Sequence, residues 1–275
     1  MKIKVAVIQI NACAAIAPNL LTIKLLARKA VDEGACLLVL PENFGFIGAK
    51  DEDVFLIQEP YGCDGADHRL QHFVSEMARR HKIWIVGGTI PLRCKDETKV
   101  RSACMVWNTE GEVVARYDKM HLFDVFLAGN GEHYQESKIY EPGSKIVVIP
   151  TPFGKLGLAV CYDLRFSDLF HAMRMQGAEI IALPSAFTAA TGRAHWQILL
   201  QARAIESQVY LLAANQVGTH ANNRVTYGHS MIVGPWGNIL AQQQGGVGFA
   251  VAEIDLLRLQ VLREDFPVWS HRRLS

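Results

Sequence analysis

Apolar residues in this chain fall into short runs: VAVIQI (5–10), CLLVL (36–40), IWIVGG (83–88), IVVI (146–149), LGLAV (156–160), EIIAL (179–183), VYLLAA (209–214) and SMIVG (230–234). Runs of this length, rich in β-branched residues, predict strands covered on one or both faces. Between several of them the apolar spacing changes to three and four residues, the period of an amphipathic helix. Asn19 to Glu33 carries Leu20, Ile23, Leu26, Ala27 and Ala30, and Arg69 to His81 carries Leu70, Phe73, Val74, Met77 and Ala78. Asp168 to Gln176 and Ala194 to Ser207 repeat the pattern. The middle of the chain differs. SACMVWNTEGEVVARYDK (102–119) predicts a hairpin turning at Thr109-Glu110-Gly111, and MIVGPWGNILAQ (231–242) a second around Gly234 to Gly237. Hairpins add antiparallel pairs and so disfavour a purely parallel barrel. No linker, charge block or repeat divides the chain, so residues 1–275 read as a single α/β domain of mixed sheets with helices on the outer faces.

Composition narrows the classes. Half of the 275 residues are hydrophobic and a fifth are charged, which excludes disorder and allows a core without covalent staples. Lys+Arg 28 against Asp+Glu 27 leaves a net charge of +1, so no nucleic-acid or anionic-membrane partner is expected. The six cysteines, at 13, 36, 63, 94, 104 and 161, form no C-x-x-C and no zinc-like spacing, which points to a reducing compartment. No apolar run approaches the roughly 18 residues of a membrane span. Lys2 and Lys4 before VAVIQI faintly mimic a secretion signal, but Gln9 and Asn11 interrupt the apolar region. The segment reads as a strand, and a cytoplasmic location is expected.

Three residues stand where chemistry gathers in α/β proteins. Cys161 follows the strand LGLAV and precedes a helical segment, a turn that presents a side chain at the carboxyl end of a sheet. It is either a nucleophile or a buried, inert cysteine. Glu42 follows CLLVL-Pro41 in the same way, and is either a base tuned by burial or an ordinary loop acid. Lys119 ends the central hairpin, as an oxyanion-stabilising cation or a solvated lysine. His68 and His72 have the i, i+4 spacing of metal ligands, but no H-E-x-x-H and no third ligand accompany them. Neither G-x-S-x-G nor C-G-[SA]-C-[WY] is present, which argues against those serine-hydrolase and cysteine-protease architectures.

With their surroundings, these residues resemble the nitrilase superfamily of carbon–nitrogen hydrolases. The stretches that carry the resemblance are LPENFGF (40–46), YDKMHLFDV (117–125), QESKIYEPG (135–143), LGLAVCYDLRF (156–166), LPSAF (183–187), TGRAHWQILLQARAIE (191–206) and YGHSMIVGPWG (227–237). They run in the family's order over about 200 residues, and with the first strand and helix the likeness covers essentially the whole chain. CYDLRF, TG-x-AHW and YGHSM are similar to the branch containing deaminated-glutathione amidase and omega-amidase. Arg224 leans toward the former, and QES and HLFDV toward the latter. Two departures stand out. Arg193 replaces an expected proline, and FLAGNGEHY (126–134) lacks the family's short Pro-Gly turn.

The resemblance implies a four-layer α-β-β-α sandwich with two mixed sheets face to face. It assigns Cys161 as nucleophile, Glu42 as general base and Lys119 as oxyanion-stabilising cation. Glu136 matches a second glutamate of the site, and the backbone N–H of Tyr162 a second oxyanion donor. It implies hydrolysis of a terminal amide on a small carboxylate-bearing substrate to acid and ammonia, with no cofactor and no metal. Deaminated glutathione is favoured, and short 2-oxo acid amides are the alternative. An acyltransferase and a catalytically inactive binding or regulatory protein of the same fold are further alternatives. Arg193 and Arg224 are the candidate partners for the substrate's anionic end; Arg165 is a further candidate, although its place beside Asp163 suggests an internal ion pair. A homodimer or higher homo-oligomer is expected, joined through helices after Cys161 and a C-terminal tail at about 265–275. Trp269, costly to expose, is the sequence's own argument for that interface.

Overall fold

The computed structural model describes residues 1–62, 69–127 and 132–273. β1 (Lys2–Gln9) leads into α1 (Ile16–Asp32), β2 (Ala35–Val39), α2 (Arg69–His81) and β3 (Trp84–Val86). β4 (Ile90–Arg93), β5 (Val100–Trp107) and β6 (Val113–Asp118) follow, then a small hairpin of β7 (Asp124–Leu127) and β8 (Glu132–Gln135). The second half runs through β9 (Val148–Thr151), β10 (Gly154–Leu158), α3 (Ser167–Met175), β11 (Ile180–Ser185), the single turn α4 (Ala189–Thr191), α5 (Gln197–Ser207) and β12 (Tyr210–Asn215). A hairpin of β13 (Val217–Thr219) and β14 (Val225–Tyr227) precedes β15 (Ser230–Val233), β16 (Ile239–Gln243), β17 (Gly248–Asp255) and α6 (Leu256–Asp265).

These strands build two mixed sheets. One has the order β17-β1-β2-β3-β5-β4 with β6 paired to β5, and the other β16-β15-β12-β11-β10-β9. β1, β2 and β3 run parallel, as do β10, β11 and β12, while the flanking pairs are antiparallel. The alternation of side chains across a strand explains the layers. In β1, Val5 and Val7 join Leu37, Val39, Leu156, Leu158, Ile181 and Leu212 in the core between the sheets. Ala6 and Ile8 point the other way, onto Ile23 and Ala27 of α1 and Val74 and Met77 of α2. Beyond the second sheet, Leu169, Phe170 and Met173 of α3 and Leu200 and Ala204 of α5 complete the stack. Strands buried on both faces are why the sequence shows continuous apolar runs. The expected α-β-β-α sandwich is the observed one.

Both predicted hairpins are present, as β5–β6 and β15–β16. Ala194 to Ser207 was expected as one helix, but α5 starts only at Gln197, after a π-helical turn over Gly192–Trp196. A Cβ on Gly192 would lie 2.4 Å from the Tyr227 side chain, so this backbone packs too closely for any other residue. Trp269 is half-buried on its own chain: Nε1 donates to the Glu206 carbonyl at 2.9 Å and the ring meets His171 edge-on. The cost of exposing this indole is therefore met within the chain and gives no argument for an interface. No helix among the described residues is long and apolar enough to cross a membrane.

Candidate active site

Cys161, Glu42, Lys119 and Glu136 converge at one end of the two sheets, although they lie far apart in sequence. Glu42 follows β2, Lys119 follows β6, Glu136 follows β8, and Cys161 follows β10. Lys119 is the hub. Its Nζ lies 2.9 Å from Glu42 Oε1 and 2.8 Å from each carboxylate oxygen of Glu136. Glu42 is 3% exposed and Lys119 2%, so the pair is inside the protein, whereas Glu136 is half-buried. The other Glu42 oxygen accepts the backbone N–H of Ala186, just past β11, at 2.8 Å. Glu136 Oε2 also accepts the N–H of Phe123 at 2.8 Å.

Burial would push the Glu42 carboxyl up, but the Lys119 charge and hydrogen bond outweigh it, helped by Arg224 and by a hydrogen bond from the Cys161 thiol. The net direction is down, and Glu42 is ionised at neutral pH. Lys119 is held well above its ordinary value: burial opposes the charge, but Glu136 and Glu42 more than compensate. The Cys161 thiol is pushed up by burial and then by the Glu42 carboxylate, against the weaker pull of Lys119, Arg224 and the Ala186 N–H. At rest, then, the proton sits on sulfur and a carboxylate stands ready to receive it.

The nucleophile turn is unusual in its backbone. Cys161 has φ +47°, a left-handed conformation that a side chain seldom adopts without support. The support comes from Asp163, which is fully buried. Its Oδ2 accepts the Val160 N–H at 2.8 Å and the Tyr117 hydroxyl at 2.7 Å. Its Oδ1 accepts the His121 N–H at 3.1 Å and faces His121 Nδ1 at 2.7 Å. One carboxylate thus ties the Cys161 turn to the strand and loop that carry Lys119. The expected Arg165–Asp163 pair is not formed: Asp163 is satisfied by Tyr117, Val160 and His121, and Arg165 lies instead over the rings of Phe187 and Tyr162, on the wall of the cleft. The Tyr162 N–H sits in the first turn of the helical segment Cys161–Arg165, where amides lack helical acceptors.

A cleft of about 260 Å³ lies over the thiol, lined by Cys161, Tyr162, Arg165, Phe187, Thr188 and Arg224, among others. It shares Phe123, Glu136 and Arg224 with a larger cavity of about 830 Å³. Arg224 is at the site: Nη2 donates to the Ala186 carbonyl at 2.6 Å, and the guanidinium stacks over Tyr134. Arg193 is not. It is exposed on the π-helical turn and lines neither cavity, because the adjacent Gly192 is the residue that packs inward. The departure at 126–134 does reach the site, since Tyr134 lines the larger cavity. Residues 128–131 of that stretch lie outside the described residues, as does His68 of the His68/His72 pair. Sequence reasoning missed Asp163 as a support, the Ala186 N–H, and Phe123 and Tyr134 as walls.

A two-sheet sandwich in which a buried lysine bridges two glutamates beside a buried cysteine in a left-handed turn fits a thiol hydrolase. The family model "Carbon-nitrogen hydrolase" matches residues 4–264, and the chain belongs to that family as an amide-hydrolysing enzyme. It is 42% identical over 273 residues to the deaminated glutathione amidase of Mus musculus, covering 98% of this chain and 83% of that one. Among solved structures it is similar to Nit3 of Saccharomyces cerevisiae, described as a member of branch 10 of the nitrilase superfamily. There the TM-score is 0.88 at 30% identity, covering 99% of this chain and 97% of that one. It also matches the C. elegans NitFhit protein with TM-score 0.90 and 36% identity, covering 99% of this chain but only 65% of the longer NitFhit chain. The resemblance drawn from the motifs is borne out at the level of family and branch.

Proposed function

We propose that the protein is a cysteine-dependent amidase acting on deaminated glutathione. The observation that carries the chemistry is the buried Lys119 bridging Glu42 and Glu136 beside the Cys161 thiol. Glu42 accepts the thiol proton as Sγ adds to the amide carbonyl carbon. Lys119 and the Tyr162 N–H stabilise the oxyanion, each such donor being worth about 3–4 kcal/mol. Collapse breaks the C–N bond, and Glu42 returns the proton to the leaving nitrogen. Water then attacks the thioester, giving its proton to Glu42, and the thiol is released. Glu136 positions Lys119 through both its oxygens.

The substrate assignment is supported by the relatives' names and by Arg224 at the cleft. Deaminated glutathione joins a 2-oxo dicarboxylic acid, through its distal carboxyl, to a Cys–Gly dipeptide. For this substrate the leaving group is the dipeptide amine and not the expected ammonia, because the amide is secondary; a short primary 2-oxo amide is the one that releases ammonia. The small size of the cleft over Cys161 favours the short amide as a second reading. The test is kcat/KM for deaminated glutathione, a short 2-oxo acid amide and a neutral nitrile of similar size. Deaminated glutathione is expected to lead. A lead for the short amide changes the substrate, and a lead for the nitrile removes the amidase assignment.

The same reading includes a homodimer and a cytoplasmic location. Exposed Met175 on α3 and Ile198 and Ile205 on α5 support a partner on that face. The unpaired thiols of Cys13, Cys36, Cys94 and Cys104 support a reducing compartment.

A further inference from the structure

We propose that the 830 Å³ cavity is the subsite for the leaving dipeptide, with Lys50 as the partner of its terminal carboxylate. The inference rests on deaminated glutathione as substrate and says where its two halves lie.

Acylation keeps one half of the substrate bonded to Cys161 Sγ, so the acyl half occupies the cleft that Cys161 lines. That cleft is the smaller of the two, about 260 Å³ against about 830 Å³, and leaves little room for a peptide as well. The larger cavity adjoins it, with Phe123, Glu136 and Arg224 lining both. Asn43, the chain neighbour of the proposed proton donor Glu42, lines it as well.

Charge supplies the second argument. Deaminated glutathione carries a carboxylate at each end, while a short 2-oxo amide carries one. The cations of the two cavities are correspondingly spread. Arg165 and Arg224 line the inner cleft, and Lys50 lies on the exposed lip of the outer cavity. Arg224 lines both cavities, whereas Lys50 is the cation, among the described residues, that lines the larger one alone and so stands for the distal end. Phe46, Val54 and Ile57 give the same cavity an apolar side for the dipeptide's thiol-bearing side chain, and Asn222 and Tyr140 add polar groups. Asp51, next to Lys50 on the same wall, has the wrong sign for a carboxylate and should oppose its binding.

The test is a cycle between residue and substrate: wild type, Lys50→Met and Asp51→Asn, each with deaminated glutathione and with its analogue amidated at the glycine carboxylate. For one exposed ion pair, Lys50→Met is expected to lower kcat/KM about two- to fivefold on the free acid, mainly through KM. Amidation should cost the wild type a similar factor, and the two losses should not multiply. Asp51→Asn should raise kcat/KM on the free acid and leave the amidated analogue nearly level. Equal losses for Lys50→Met on both substrates, or no loss on either, overturn the subsite. A wild type that fails to hydrolyse deaminated glutathione overturns the functional reading, and the subsite with it. A wild type that hydrolyses it well while Lys50 and the carboxylate act independently overturns the subsite alone.

Discussion

Glu42 and Ala186 are 144 residues apart in sequence, yet the backbone N–H of Ala186 donates to Glu42 Oε2 at 2.8 Å. This bond runs from the loop after β2 in one sheet to the end of β11 in the other, so the carboxylate is fixed by both halves of the sandwich. Lys119 holds the second oxygen. With both oxygens oriented, Glu42 faces the thiol without a free rotor.

Replacing Glu42 with Gln keeps the shape and removes the proton acceptor. The amide also turns an N–H₂ toward either the Lys119 ammonium or the Ala186 N–H, both of which are donors. Turnover is expected to fall about 10²–10⁴-fold, the typical contribution of a general acid–base group. Circular dichroism should remain native, and steady-state kinetics supply the measurement. Activity within a few-fold of wild type would remove Glu42 from proton transfer.

Cys161→Ala is expected to abolish turnover and leave the fold intact, since the side chain contributes little volume to the core. Intact-protein mass spectrometry of the wild type with slow substrate should find one acyl adduct, mapped to Cys161. Cys104, more deeply buried, is pushed up by burial and then by the Asp163 charge, and should stay unmodified. An adduct on another cysteine, or turnover in the alanine variant, contradicts the nucleophile assignment.

Asp163→Asn probes the support beneath the nucleophile. Four donors converge on the Asp163 carboxylate, and an amide offers only one oxygen to them. An unsatisfied buried group costs about 1–3 kcal/mol, so the variant should fold with reduced stability. Its diagnostic effect should be a lower kcat with KM nearly unchanged, because Cys161 loses its φ +47° geometry while the substrate walls remain. Loss in KM alone would make Asp163 a packing residue.

The catalytic candidates were legible because Glu42, Lys119 and Cys161 each follow a strand that can be recognised from its apolar run or hairpin. The sandwich was legible in part for the same reason: VAVIQI and VYLLAA are covered on both faces. Glu136 was identifiable only by resemblance, since β7 and β8 are four residues each, too short to show a strand period. α6 escaped because only Leu256 and Leu259 are buried, too few to make a stripe. The Ala186 contribution is a backbone N–H, which any residue except proline supplies. Asp163 was misassigned because a neighbouring arginine in sequence is a visible partner, while Tyr117 and His121 become partners only after folding.

A homodimer gives a prediction in solution. α3 and α5 leave Met175, Ile198 and Ile205 in water on the face opposite the inter-sheet core. Multi-angle light scattering at micromolar concentration should give twice the chain mass of 30.6 kDa. Ile198→Glu with Ile205→Glu should shift the species to monomer. A monomeric wild type removes the dimer from the reading.

Lys119→Met tests how much of the site depends on one buried charge. In the wild type, the Glu42 carboxyl is depressed below its ordinary value of about 4.3. A depressed carboxyl contributes stability that is present above the unfolded pKa and lost as pH falls through the folded one. Lys119 is raised, so its contribution is complete below about pH 10.4 and lost only at still higher pH. The pair therefore contributes fully from about pH 5 to 10, and the acid limbs of both stability and activity should lie below the ordinary carboxylate range. Removing the ammonium leaves Glu42 nearly dry, with burial no longer outweighed, and its carboxyl should move above the ordinary range. Breaking a buried pair from one side typically costs about 3–5 kcal/mol. The variant should melt earlier at pH 7, regain part of the difference toward pH 5 as Glu42 takes up a proton, and lose turnover through the missing oxyanion partner. Melting curves from pH 4 to 9 decide the matter. If wild type and variant melt together across that range, the Glu42–Lys119 pair does not hold the site.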